Sequence, residues 1–280
     1  MQLAMYQVDA FTRNSSADFS GNPAAVIPLP RWISDTAMQA IAAENNLSET
    51  AFFVNEGDVW HIRWFTPTTE VDLCGHATLA SARIIIDELG DDRAVIPFHC
   101  GIGPLSVARD EHKPQRLWLD FPQRQAQSID NPLLLSQVEK ALGQQVKSLS
   151  GSRDLLVELH NEQAVLNCAP DFQTLANFEY FALAITAKAS TAGYDFVSRF
   201  FAPRQGLNED PVTGSSFCAL APYWASKLDK STLRAWQCSA RGGDVDLQLT
   251  DNRVHIGGES FIYLRGDIWL PGVIHAGLTG

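Results

Sequence analysis

Two short stretches of this sequence place glycines and small polar residues where a helix would begin: Asp72-Leu73-Cys74-Gly75-His76-Ala77-Thr78 and Glu209-Asp210-Pro211-Val212-Thr213-Gly214-Ser215. Residues this small leave backbone N–H groups exposed at a helix N-terminus, the place where a substrate carboxylate is held. One such glycine could equally serve a tight turn; two loops at equivalent places point to anion binding. Glu49, in Leu47-Ser48-Glu49-Thr50, is the carboxylate the pattern singles out. An internal repeat sets it against Ile185, and an aliphatic counterpart implies an inward side chain. A carboxyl group in partly apolar surroundings has a raised pKa, suited to general acid/base work. An exposed Glu at a strand end fits the pattern alone just as well.

These residues must be positioned by a duplicated chain. Arg63-Trp64-Phe65-Thr66-Pro67 answers Arg199-Phe200-Phe201-Ala202-Pro203 at a shift of 136, and the same shift sets Asp35–Gln39 on Asp171–Leu175 and Leu47–Thr50 on Leu183–Thr186. Asn22–Ile27 resembles Asn161–Leu166, three residues out of phase. Strands are expected at 6–11, 24–28, 51–54 and 59–65, then at 155–160, 163–167 and 196–202. Ser34 is a plausible N-cap for one helix and Asp171 opens its counterpart. The helix from Gly75 carries Leu79, Ala82, Ile84, Ile85, Ile86 and Leu89 around most of its circumference and should be buried on nearly all sides, ending at Gly90. Its counterpart from Gly214 holds Pro222, which predicts a kink or a short first segment. A further helix, 131–143, has Leu134, Val138 and Leu142 as its stripe. The halves divide near Arg116–Asp120.

The composition suits such a core. Of 280 residues, 45% are hydrophobic and 19% charged, ordinary for a globular chain. The net charge of -11, with no run of Lys or Arg, disfavours nucleic acid and anionic membranes as partners. The N-terminus reads as a strand rather than a signal peptide. Five scattered cysteines (Cys74, Cys100, Cys168, Cys218, Cys238) without a C-x-x-C pair read as reduced thiols in a cytoplasmic protein. The other histidines fall in no metal-ligand spacing, and no phosphate-loop, nucleophile-elbow or dinucleotide motif occurs, so neither metal nor cofactor is expected.

Asp9-Ala10-Phe11-Thr12, Gly21-Asn22-Pro23-Ala24-Ala25-Val26, Leu47–Phe52, Gly75–Ala80 and Glu209–Ser215 together resemble, in order, the signature segments of the phenazine-biosynthesis PhzF-like family, from about Val8 to about Gly266. The resemblance implies an α+β protein of the diaminopimelate-epimerase-like fold. Its two pseudo-symmetric halves, 1–117 and 118–264, would each wrap a strongly curved sheet around a central helix, with 265–280 packing back on the first. It implies a cofactor-independent isomerase that moves a carbon-bound proton on a small, possibly cyclic, carboxylate-bearing metabolite in the cleft between halves. Glu49 would be the acid/base residue, assisted by His76 and Asp210. Ser48, Gly75, Ala77, Thr78, Thr213, Gly214 and Ser215 would bind the small-molecule substrate, and the protein would be a homodimer. Cysteine-based racemases of that fold place a catalytic Cys before a G-H or G-N pair, as Cys74-Gly75-His76 does. Their second Cys has no counterpart in Asp210–Gly214, and Cys218 falls a turn into the helix. A racemase using Cys74 and a catalytically silent binding protein remain the alternatives.

Overall fold

The computed structural model describes residues 2–13 and 19–271, which gather into two compact units. Residues up to Asp120 and from Gly257 onward form one, and Phe121–Ile256 form the other. Of the 265–280 segment expected to return to the first half, Arg265–Trp269 pair with the first strand, and 272–280 lie outside the described residues. No helix among the described residues is long and apolar enough to cross a membrane.

In the first unit, β1 (Gln2–Ala10) runs antiparallel to β2 (Asn22–Leu29), and β2 runs parallel to β3 (Glu49–Glu56). The parallel pair reads as near-continuous apolar residues, Ala24–Ile27 beside Ala51–Val54, as strands buried on both faces do. β3 then pairs antiparallel with β4 (Val59–Phe65), which carries the short β5 (Glu70–Val71) and lies parallel to β6 (Val95–Cys100). β7 (Gly103–Arg109) and β8 (Arg116–Pro122) follow antiparallel. α1 (Asp35–Asn45) links β2 to β3, with Ser34 accepting from the Ala37 N–H as expected. α2 (Gly75–Asp87) links β5 to β6 and packs on β1, β2, β3 and β7, so strands far apart in the ladder meet one helix and the sheet must curl around it. Every residue from Gly75 to Ile85 is buried, even Arg83, whose guanidinium donates to the Pro114 and Gln115 carbonyls. The helix stops at Asp87, short of Gly90.

The second unit contains β9 (Gln127–Ile129), α3 (Pro132–Leu142), β10 (Val146–Gly151), β11 (Leu155–Leu159), α4 (Glu162–Leu166), α5 (Phe172–Leu175), β12 (Leu183–Lys188), β13 (Phe196–Ala202), β14 (Leu207–Asp210), α6 (Phe217–Leu228), β15 (Thr232–Gln237) and β16 (Gly243–Thr250). β11 and β12 are parallel, β12 and β13 antiparallel, β13 and β15 parallel, β15 and β16 antiparallel. The long β17 (Arg253–Trp269) brings Ser260–Trp269 against β1. α6 starts after a 3-10 turn, Gly214–Ser216, and runs unbroken from Phe217 to Leu228, without the short first segment expected from Pro222. Pro222 does not break it. The proline has no N–H for the Cys218 carbonyl four residues back, and the backbone N–H of Arg124 takes that carbonyl at 2.8 Å instead.

Two expectations about the repeat are corrected by the ladders. Residues 163–167 are helix α4, not a strand: the Asn161 side chain caps it by accepting from the Ala164 N–H, and its true counterpart of β2 is β11. The shift of 136 also fails upstream of the arginines. Arg63 faces Phe52 across the ladder whereas Arg199 faces Ile185, so the residue matching Glu49 is Ala182, not Ile185. What the shift did capture is a buckle. Arg63 and Arg199 each grip a glutamate of the next strand with two parallel hydrogen bonds, Glu70 at 2.7 and 2.7 Å and Glu209 at 2.7 and 2.8 Å. Each guanidinium lies over the phenylalanine two residues on, 5.2 Å from the Phe65 ring centre and 5.0 Å from that of Phe201. These clamps close the hairpins that lead into the two glycine loops.

α6 is tied to its sheet through Glu158. The Tyr223 hydroxyl donates to its carboxylate at 2.6 Å, Lys147 at 2.9 Å, and Lys227 caps the same group. Burial alone would raise the Glu158 pKa, but the hydrogen bonds from Lys227, Tyr223 and Lys147 outweigh it and hold the acid at about 2, below its ordinary 4.5. The unfolded chain therefore takes up a proton that the folded chain refuses, and stability should fall as pH drops from 4.5 toward 2. Urea unfolding midpoints at pH 7, 5 and 3.5 should decline less steeply in Glu158→Gln than in the wild type. Equal slopes would refute the assignment.

Candidate active site

The first glycine loop, the start of β2 and the start of β3 meet in one place in the first unit. The parallel register sets Ala24 opposite Glu49, so Asn22 and Ser48 lie at the same end of the pair. Gly21 makes this possible. Its φ is +80°, and a Cβ there would stand 2.4 Å from the Ala10 carbonyl oxygen, so no other residue leads into Asn22 along this path. The Arg63–Glu70 clamp delivers Cys74 and the first turn of α2 to the same spot.

Glu49 Oε2 lies 3.2 Å from His76 Nε2, with the His76 side chain 4% exposed and that of Glu49 18%. The contact is short but not aligned as a hydrogen bond, a common state of catalytic pairs before substrate tightens them. On its other face, His76 Nδ1 lies 3.2 Å from the Asn22 side-chain nitrogen, and the Ser48 hydroxyl donates to Asn22 Oδ1 at 3.2 Å. With the Ser48 hydroxyl donating to Oδ1, the Asn22 N–H₂ faces Nδ1 and donates to it. That network assigns the His76 tautomer, with Nδ1 accepting and the proton on Nε2, facing Glu49. Burial lowers the His76 pKa from 6.5 to about 3, so the ring is neutral and can pass or hold a proton without carrying charge. Cys74 Sγ stands 3.5 Å from the same Nδ1.

Among the expected binding residues, Ser48 and Gly75 belong to this cluster, and Ala77 lies in the first turn of α2. Thr78 is fully buried, and its hydroxyl donates to the Cys74 carbonyl at 2.5 Å, which pins the loop. Asp210, Thr213, Gly214 and Ser215 come together in the second unit. The Thr213 hydroxyl donates to Asp210 Oδ2 at 2.5 Å, and Ser215 Oγ accepts from Arg153 at 3.2 Å. Gln237, fully buried on β15, accepts from the Thr213 N–H at 2.9 Å and donates to the Asp210 carbonyl at 2.9 Å. α1, α3, α4 and α5 open with a side-chain cap, from Ser34, Asn131, Asn161 and Asp171. α2 and the turn at Gly214 open without one.

Asn22 and Gln237 had no role in the sequence reading. Asn22 sits inside the Gly21–Val26 signature segment, which was the available signal; Gln237 had none. Nor did spacing reveal that Glu49, Cys74 and His76 form a set of possible metal donors within 4.8 Å of one another, because Glu49 comes from another strand.

Comparison with known proteins places this arrangement. The family model described as phenazine biosynthesis-like protein matches residues 8–266. An uncharacterized isomerase of Pseudomonas aeruginosa is 47% identical over 271 residues, 96% of this chain and all of the relative. A crystal structure of a phenazine biosynthesis protein of the PhzF family from Enterococcus faecalis superposes with a TM-score of 0.90 at 40% identity, over 96% of this chain and 100% of that one. A probable proline racemase from Agrobacterium radiobacter shares the fold at a TM-score of 0.60 and 10% identity, over 96% of this chain and 93% of that one. The chain has a PhzF-like fold of mixed strands and helices, and it belongs to the phenazine biosynthesis-like PhzC/PhzF family, with relatives named as isomerases.

Proposed function

We propose that this protein is a cofactor- and metal-independent isomerase that moves a proton between carbons of a small carboxylate-bearing metabolite, with Glu49 as general acid/base. The observation that carries the reading is the close contact of half-buried Glu49 with buried His76, whose Nδ1 faces the Asn22 amide backed by Ser48. Removing a carbon-bound proton needs a base, a stabiliser for the enolate-like charge and exclusion of water. Glu49 supplies the base, and neutral His76 presents its Nε2–H toward the Glu49 carboxylate. The uncapped start of α2 supplies N–H groups for a carboxylate or developing oxyanion. We read Asp210, hydrogen-bonded by Thr213, as a further candidate acid/base group of the second unit, and the two units as pseudo-symmetric halves of a diaminopimelate-epimerase-like fold.

A cysteine-pair racemase is less well supported. Cys218 is fully buried, and burial pushes its thiol up to about 11, which makes it a poor base at neutral pH. The test is deuterium uptake. Incubated in heavy water with small cyclic carboxylates, amino acids and hydroxy acids, the protein should exchange carbon-bound hydrogen on one class. Cys74→Ala should lose less than about tenfold of that rate, well below the effect of losing a general base. Exchange abolished in Cys74→Ala but kept in Glu49→Gln would transfer the role to the thiol.

A further inference from the structure

Three donor types of different chemistry converge where the mechanism uses only two. Cys74 caps α2, His76 stands in the first turn of the same helix, and Glu49 opens β3. One donor atom from each lies within 4.8 Å of the other two. A tetrahedral zinc ion with bonds of the usual 2.0–2.3 Å needs its ligands about 3.3–3.8 Å apart. Cys74 Sγ stands 3.5 Å from His76 Nδ1 and Glu49 Oε2 stands 3.2 Å from His76 Nε2, so an ion held by one ring nitrogen finds one partner already at ligand spacing and needs the other side chain to swing round to it. A thiolate, an imidazole and a carboxylate together match zinc better than the hard magnesium or calcium ions, which take oxygen donors.

We propose that Glu49, Cys74 and His76 form a binding site for a thiophilic divalent cation of the zinc type, and that the ion switches off the isomerase site by occupying its base. The site would have three protein ligands and one open position. Coordination removes the thiol proton of Cys74 to solvent. The imidazole stays neutral, its remaining proton moving to whichever nitrogen the metal leaves. Glu49, once a ligand, shares its negative charge with the cation and becomes a far weaker base toward a carbon-bound proton. With the ion on Nε2 the ring proton sits on Nδ1, so the Asn22 amide must turn to accept it through Oδ1, with the Ser48 hydroxyl accepting from the amide N–H₂.

This inhibition rests on the isomerase reading, but binding does not, so the two are measured separately. Zinc titrated into the full chain against a chromophoric chelator should bind at one equivalent. Cobalt in its place should show a thiolate-to-metal charge-transfer band. Cys74→Ser should abolish that band, and both Cys74→Ser and Glu49→Gln should weaken zinc by at least the roughly 10–100-fold that losing even an outer-shell partner costs. Circular dichroism checks that each variant is folded. Weak binding that is unchanged in both variants, or no charge-transfer band, overturns the site. Tight binding with deuterium exchange undiminished at saturating zinc overturns the switch and leaves the isomerase reading standing.

Discussion

Glu49→Gln should lose between a hundredfold and ten-thousandfold of proton exchange on any true substrate, about the contribution of a positioned general acid/base. The substitution is nearly isosteric. Gln keeps an acceptor and gains an N–H₂ group, but it can no longer take a proton from carbon at neutral pH. Because the Glu49 side chain is partly exposed and opens a strand whose next five residues are buried, the fold should tolerate the change. The measurement is turnover of deuterium label under saturating substrate, with thermal unfolding as the control. Near-normal turnover in a folded Glu49→Gln protein would remove Glu49 from the mechanism. A loss confined to KM would make it a binding group instead.

How Glu49 was found differs from why it sits where it does. The sequence argument compared it with Ile185 and inferred burial, yet the ladders match it to Ala182. The conclusion held for another reason: β3 starts at Glu49, opposite Ala24, at the end of a parallel pair that is buried on both faces. A repeat three residues out of register still finds the strands but assigns the wrong partners within them. The α2 pattern was more reliable: Leu89 falls beyond the helix and is exposed, but the other five apolar residues surround α2 and can only be satisfied by a sheet that wraps it. Pro222 illustrates the opposite limit. Its effect on α6 depends on whether a distant N–H can take the Cys218 carbonyl, and Arg124 does so from nearly a hundred residues away. Likewise, Gln237 bridges Thr213 and Asp210 from β15, and no local pattern reports such a long-range bond. The strands, helix starts and loop chemistry were legible; the network that sets a tautomer was not.

That network gives the second large effect. Asn22 donates to His76 Nδ1, which leaves the His76 proton on Nε2 toward Glu49. Asn22→Asp changes one group for another of the same shape and inverts its role, because a carboxylate at this position can only accept. The ring then either moves its proton to Nδ1, presenting a lone pair to Glu49, or becomes an imidazolium held between two carboxylates. In the first case proton passage at Nε2 is blocked; in the second, the charge on His76 stabilises ionised Glu49 and weakens it as a base. Placing a catalytic histidine in the wrong tautomer has cost a serine protease about ten-thousandfold, so Asn22→Asp should lose roughly a hundred- to ten-thousandfold here. Asn22→Ala, which leaves Nδ1 without that donor but does not invert it, should lose less. The ordering can be read from exchange rates across pH 6–9, with NMR of the His76 ring nitrogens reporting where the proton resides. If Asn22→Asp proves as active as the wild type, or Asn22→Ala the more damaging, the proton on Nε2 is not what Glu49 needs, and His76 acts only by filling space beside it.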